Sequence, residues 1–251
     1  MLTAGVDLAA RPERTALVSI EWTADRAIVR DVACPADDTV ILKAIDRADK
    51  TGMDCPLGWP AAFVGFVAAH HAGHVGIPED DPDWRRSLTM RRTDLVVHER
   101  LRLVPLSVSA DRIAHVALRC AVLLAKLDAA GRPVDRSGSG PVVEVYPAAS
   151  LRRWDLAQPG YKQPARPEAL DQLVDRLLAA APWLDCASYE QVIRGSHDVF
   201  DAVIAAMTAR AAAQGQTFPP GAADLATART EGWIAIPNAP ISWLRETPGG
   251  S

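Results

Sequence analysis

Acidic residues recur in this sequence at places where a carboxylate is unfavourable without a partner. Asp7 lies inside the apolar run 5–9, and Asp54 ends a short segment just before Pro56. Glu144 lies between two valines. Because burial of an unpaired charge is costly, acids in strand-like apolar runs indicate a shared site. Several carboxylates that meet at one point would bind a divalent metal ion, which is how many proteins handle phosphate.

A second acidic pair, Asp198 and Asp201, has helical spacing. Residues three apart lie on one face of a helix, and the same face continues through Ala202 and Ala205. Alanines at these positions are small enough to let the helix approach a sheet closely. The alternative is that both acids complement the dipole at the helix N-terminus. That alternative suits Asp198 and is weaker for Asp201, which lies a full turn further along.

Each of the other acids also has a purely structural interpretation. Asp7 would then be a residue near a strand end that hydrogen-bonds to a neighbouring loop. Asp54 would be a turn-forming residue, and Glu144 would face solvent from an edge strand or form a structural salt bridge. The sequence leaves these alternatives open at each position.

Basic residues that would contact a substrate lie in two places. Residues 85–102 contain six arginines against two acids, and among them Arg91 and Arg92 are predicted to bind phosphate through their guanidinium forks. Lys162, in an irregular segment, is predicted to add positive charge toward the substrate. The alternatives are a solvated arginine-rich face with Asp94 pairing locally, and an exposed lysine.

The elements that must position these residues are read from hydrophobic periodicity. Three strands in succession, 2–9, 15–22 and 27–34, indicate an antiparallel meander. A helix over 37–49 then leads to a fourth strand that ends at Asp54. The later elements are helices over 61–71, 110–130, 168–181 and 196–214, a strand over 141–146 and a short strand over 231–236, with Ser196 as the N-cap of the last helix. This order predicts an α/β sheet covered on both faces.

Composition bounds the class of protein. The 251 residues are 49% hydrophobic and 23% charged, which predicts one globular domain over 1–251, with the irregular stretch 59–108 inserted after the fourth strand. The net charge of −4 gives no global attraction to nucleic acid. Four widely spaced cysteines indicate reduced thiols in a cytoplasmic protein. No apolar run is long enough for a membrane helix, and a homodimer is left open.

Six segments taken in order resemble a known family. They are 5–9, 54–58, 91–94, 144–147, 198–202 and 231–234. Together they are similar to the family catalogued as domain of unknown function 429, whose members are predicted nucleases of the ribonuclease H-like superfamily. The resemblance implies a five-stranded mixed sheet in the order 3-2-1-4-5, with the first three strands antiparallel and helices on both faces.

The resemblance also implies a site. Asp7 and Asp54 with Asp198 and Asp201 would hold two Mg²⁺ or Mn²⁺ ions, because oxygen-only ligands favour these metals. Asp7, Asp54, Glu144 and Asp201 would be the catalytic residues of phosphodiester hydrolysis on nucleic acid. In that chemistry one ion activates a water molecule and the other neutralises the leaving oxygen.

Two other functions fit the same residues. One is a phosphotransferase of the actin-like superfamily, which also begins with a strand carrying a Gly-x-Asp turn. The chain lacks the second Gly-rich phosphate loop of such an enzyme. The other is a non-catalytic relative that keeps the fold and binds a nucleotide or a protein.

Overall fold

The computed structural model describes residues 1–74 and 82–246, and within these residues it contains one six-stranded sheet. The strands are β1 (Leu2–Asp7), β2 (Ala16–Trp22), β3 (Ala27–Ala33), β4 (Lys50–Asp54), β5 (Val142–Glu144) and β6 (Leu184–Asp185). Their order is β5-β4-β1-β2-β3-β6. β1, β2 and β3 form the predicted antiparallel meander, and β4 and β5 add parallel strands beside β1.

The described part of the chain contains ten α-helices, which cover the sheet on both faces as predicted. They are α1 (Asp38–Arg47), α2 (Ala61–His71), α3 (Pro82–Thr89), α4 (Arg92–Leu101), α5 (Ala114–Ala129), α6 (Pro147–Arg153), α7 (Pro167–Ala180), α8 (Glu190–Gly195), α9 (His197–Ala213) and α10 (Leu225–Glu231). Ser196 is the N-cap of α9, as expected, and its hydroxyl accepts the Val199 N–H at 3.3 Å.

Side-chain alternation along the strands divides the core into two layers. On β2, Ala16, Val18 and Ile20 face a layer that includes residues of α7 and α9. Leu17 faces the opposite layer, which includes residues of α1 and α5. On β1, Val6 also belongs to that second layer, so its neighbours Gly5 and Asp7 face α9.

The structure corrects four expectations about elements. Asp7 is the last residue of β1 rather than a mid-strand residue. The two-residue strand β6, which pairs with β3 and extends the predicted five-strand order, was not predicted. α6 follows soon after β5 and was not predicted, although Pro147 at its first turn and the two alanines after it are compatible with a helix start. The short strand expected over 231–236 is a single bridge between Glu144 and Ile234, which follows α10.

Residues 59–108 form α2, α3 and α4 where they are described. None of the residues of α2 is buried, and Val64 and Val67 are about half exposed. The predicted division into one domain with an insertion stays a prediction, and residues 75–81 and 247–251 lie outside the described residues. No helix within the described ranges is long and apolar enough to cross a membrane.

Candidate functional site

Two of the predicted carboxylates end neighbouring parallel strands. Asp7 on β1 and Asp54 on β4 are register partners, and Gly5 and Gly52 are partners two residues earlier. Alternate residues of a strand share a face, so each aspartate projects from the same face as the glycine before it. Because adjacent strands lie about 4.8 Å apart, the two carboxylates leave the sheet side by side.

Both glycines permit the backbone of α9 to lie directly on this face. A Cβ atom at Gly5 would overlap the Ala202 carbonyl oxygen and the Ala206 nitrogen, and one at Gly52 would overlap the Ala205 carbonyl oxygen. Because no side chain separates the strand backbone from the helix backbone at these two glycines, α9 lies closer to the sheet than larger residues would allow. Asp201 directly precedes Ala202 and is fully buried, at 0% exposure. The third carboxylate is therefore held against the ends of β1 and β4.

The loop between α6 and α7 brings two consecutive residues to Asp201. The hydroxyl of Tyr161 donates to Asp201 Oδ1 at 2.9 Å, and the Lys162 ammonium forms an ion pair with Asp201 Oδ2. The ring of Tyr161 packs edge-on against Phe200, with centroids 5.9 Å apart. Asp201 therefore has one neutral and one cationic partner from the same loop.

The pKa values of the three carboxyl groups show that they share one electrostatic environment. The pKa of Asp54 is raised to about 7, chiefly by burial, with Lys162 opposing the rise and Asp201 and Glu144 adding to it. Burial and the neighbouring Asp54 raise the pKa of Asp7 well above its usual range. Burial also raises the pKa of Asp201, despite Lys162 and the Tyr161 hydroxyl. The single lysine therefore does not neutralise the negative charge of this site.

A pocket of about 670 Å³ opens over the carboxylates. Asp7, Asp54, Tyr161 and Lys162 all line it. The remaining wall is largely apolar and includes Pro105, Leu106, Ile113 and Tyr146, with Arg112 beside them. A polar floor with largely apolar walls is typical of a ligand pocket.

Arg91 is not available to a substrate, contrary to the expectation that it binds phosphate. All five of its side-chain N–H donors are used within the protein, on Asp94, Glu144 and the Glu231 carbonyl oxygen. Its side chain is 2% exposed. Burial disfavours the charged form of Arg91. The neighbouring Glu144 and Asp94 outweigh this effect and raise the pKa of Arg91 above its usual range. The guanidinium therefore anchors a buried ion-pair network.

Glu144 is the centre of that network. One of its oxygens accepts from Arg91 at 2.7 Å, and the other accepts from Arg91 and from the Leu57 backbone N–H at 3.0 Å. Leu57 lies three residues after Asp54, so Glu144 fixes the chain that leaves β4. Its contacts correspond to the structural salt bridge that the sequence left open.

Asp198 and Arg92, like the buried Asp201, lie outside the pocket lining, and both are engaged with other side chains. Asp198 accepts from Arg14 at 3.0 Å, and its other oxygen lies 2.9 Å from His197 Nδ1. Burial opposes its ionisation, but these partners lower the pKa of Asp198 to about 2. Arg92 pairs with Asp224 at 3.0 Å and with Glu99 at 3.2 Å. The structure thus brings together Asp7, Asp54, Asp201 and Lys162 from the predicted set.

Sequence reasoning missed Gly52 and Tyr161. The signal for Gly52 was present, since Gly52-Met53-Asp54 repeats the Gly5-Val6-Asp7 pattern on the partner strand. Tyr161 had no such signal, because an irregular segment does not show where a side chain points. Only its position next to Lys162 connected it with the site.

The donor chemistry of the site suits a hard cation, although the carboxylates do not form a closed ligand cluster. In the ranges that the structure describes, no group of three or more His, Cys, Asp or Glu side chains is arranged to hold a metal ion. Oxygen-only ligands with surplus negative charge are what Mg²⁺ and Mn²⁺ require. The ammonium group of Lys162 is a cation that already lies against Asp201. The residue types therefore fit a divalent ion once Lys162 has moved.

The chain belongs to the DUF429 family, described as proteins of unknown function, whose model matches residues 5–224. This match includes Asp7, Asp54, Lys162 and Asp201. No curated protein and no solved structure is similar to the chain.

Proposed function

We propose that this protein is a divalent-metal-dependent nuclease of the ribonuclease H-like type, which hydrolyses phosphodiester bonds of nucleic acid. The observation that supports it most is the convergence of Asp7, Asp54 and Asp201 from two parallel strand ends and one helix. The strand order, with β1 to β3 antiparallel and β4 and β5 beside β1, supports the superfamily assignment.

Each residue of the site then has a role. Asp7, Asp54 and Asp201 would hold Mg²⁺ or Mn²⁺, and the bound metal would supply activation of a water molecule and neutralisation of the leaving oxygen. Tyr161 orients Asp201 through its hydrogen bond to Oδ1. Arg112 lines the pocket and has no ion-pair partner in the described part of the chain, so it is placed to bind a substrate phosphate.

The proposal revises the expected roles of four residues. Glu144 and Arg91 line the pocket, but their polar groups are engaged with each other and with the chain after β4, so we assign them a supporting role. Asp198 and Arg92 are engaged with other side chains away from the pocket. The metal set is therefore smaller than the sequence suggested.

The test is a cleavage assay with Mg²⁺ or Mn²⁺ on single strands, duplexes, RNA–DNA hybrids, four-way junctions and ATP. We expect metal-dependent cleavage of a polynucleotide that falls at least about a hundredfold in Asp7→Asn and in Asp54→Asn, since each removes a ligand charge. Asp198→Asn is the matched control and should retain activity. If the wild-type protein cleaves no substrate and binds no Mn²⁺, a non-catalytic protein that binds a nucleotide or a protein would be favoured instead. Phosphate release from ATP alone would favour the phosphotransferase.

A further inference from the structure

We propose that Lys162 is a tethered counter-cation that occupies the carboxylate site in the metal-free protein and must be displaced when a divalent ion binds. This inference rests on the proposed function, because it concerns the same three carboxylates. Lys162 would then set the affinity and selectivity of the site for its ion. It would be a competitor of the metal rather than a substrate-binding residue.

The first argument is the place of the ammonium group. Lys162 Nζ contacts Asp201 Oδ2, which is fully buried, and it also acts electrostatically on Asp54 and Asp7. A buried carboxylate next to two others is unfavourable without a cation. Since a divalent ion would need the same oxygen of Asp201, the ion and the ammonium compete for one position.

The second argument is that Lys162 has room to leave. Its side chain is 49% exposed although its end reaches a fully buried partner. The side chain also lines the pocket, so withdrawal leads into an existing opening rather than into packed core. Because Asp201 is fully buried, the ammonium can leave only as the incoming ion replaces its charge.

The third argument is that the loop is anchored at several points before Lys162. Tyr161 holds Asp201 Oδ1 and packs on Phe200, so it keeps its position when the lysine withdraws. Earlier in the loop, Arg176 of α7 donates to the Asp155 carbonyl oxygen at 2.6 Å and to Gln158 Oε1 at 3.0 Å. The displacement is therefore confined to the lysine and its immediate backbone, and Asp201 stays oriented for the ion.

The experiment is a calorimetric Mn²⁺ titration of the full-length wild-type protein, Lys162→Met and Lys162→Gln. We expect both variants to bind Mn²⁺ about tenfold more tightly or better, because the competing charge is gone. Arg112→Met is the matched control, since it removes a charge from the same pocket without touching Asp201. An equal gain in Arg112→Met would show a general charge effect and would overturn the inference.

A second measurement follows the lysine itself. Reductive methylation read by mass spectrometry should modify Lys162 faster when Mg²⁺ is present, while the exposed Lys43 should react at an unchanged rate. Unchanged or weaker Mn²⁺ binding in both Lys162 variants, with binding intact in the wild-type protein, would overturn the inference and leave the proposed function standing. Absence of Mn²⁺ binding in all of the proteins would overturn the proposed function and the inference together.

Discussion

Asp54 links the stability of the metal-free protein to pH. Its pKa in the folded protein, about 7, lies above the ordinary value of 3.8, so the folded state binds this proton more tightly than the unfolded chain does. The associated stability is complete below about pH 4 and is lost as pH rises through about 7. We therefore expect Asp54→Asn to melt at a higher temperature than wild type at pH 8, with a flatter profile between pH 4 and 8. Thermal melts in EDTA measure this.

Asp198 is the control for that experiment because its pKa is displaced in the opposite direction. Its partners lower the pKa to about 2, so its contribution is present above about pH 4 and is lost as pH falls through about 2. Asp198→Asn should therefore lower the melting temperature at pH 7. Parallel pH profiles for the two variants would contradict both assignments.

Arg91 should dominate the stability of its ion-pair network. Arg91→Met leaves the buried Glu144 and Asp94 without their shared cation, and loss of one partner of a buried ion pair costs about 3–5 kcal/mol. Arg92→Met removes only partly exposed pairs and should change the free energy of unfolding by less than about 1 kcal/mol. Urea denaturation of the two variants makes the comparison. Similar losses would show that the buried network is not what stabilises this region.

At the scale of elements, the contact between α9 and the sheet depends on Gly5. Gly5→Ala introduces a Cβ that overlaps backbone atoms of Ala202 and Ala206, which cannot be relieved by a side-chain rotation. We expect a loss of about 3 kcal/mol or more of unfolding free energy, at the upper end of overpacking effects. Gly65→Ala is the control, because nothing lies within 4 Å of the added Cβ in the middle of α2. It should stabilise the protein by up to about 1 kcal/mol.

Periodicity was sufficient to predict the elements that carry the site. The helices α1, α5 and α7 have a clear period of 3.6, because each buries one face. α9 is buried all round over residues 199–211, so its prediction depended on its N-cap Ser196 and its alanine content instead. β6 has two residues, which is too short for any period, and it exists because β3 offers it an edge. α6 is a seven-residue helix whose stability comes from packing rather than from a repeating pattern.

The side-chain partners in the site were not predictable in the same way. Asp7 and Asp54 were recognised because an acid in an apolar segment is conspicuous in the sequence. Nothing local distinguishes Arg91, which is buried, from Arg92, which is partly exposed, since their environments are set by Glu144 and Asp224 far along the chain. Contacts over such separations depend on the tertiary fold.

At the scale of the whole molecule, the three carboxylates come from distant parts of the chain. A divalent ion bound by Asp7, Asp54 and Asp201 would connect β1, β4 and α9, so it would stabilise the folded state as a unit. Hydrogen exchange should therefore slow in the core amides of all three elements when Mg²⁺ is added. Asp54→Asn should show no such change. Protection restricted to the loop around Lys162 would argue against a shared ion.

The sequence left a homodimer open, and sedimentation velocity over a range of concentrations tests whether one forms. Under the proposed function, the net charge of −4 would confine nucleic-acid contacts to the pocket and its rim rather than the whole surface. Raising the salt concentration should therefore weaken substrate binding only modestly. A steep salt dependence would indicate a larger basic surface.

The attachment of the Lys162 loop to Arg176 has a kinetic consequence. Because that guanidinium fixes the loop at Asp155 and Gln158, only a few residues separate the fixed point from the moving side chain. Short loop segments move in nanoseconds to microseconds, whereas domain motions take microseconds to milliseconds. Ion uptake should thus be fast and show no lag in a stopped-flow record, with its rate governed by local rearrangement and not by opening of the whole protein.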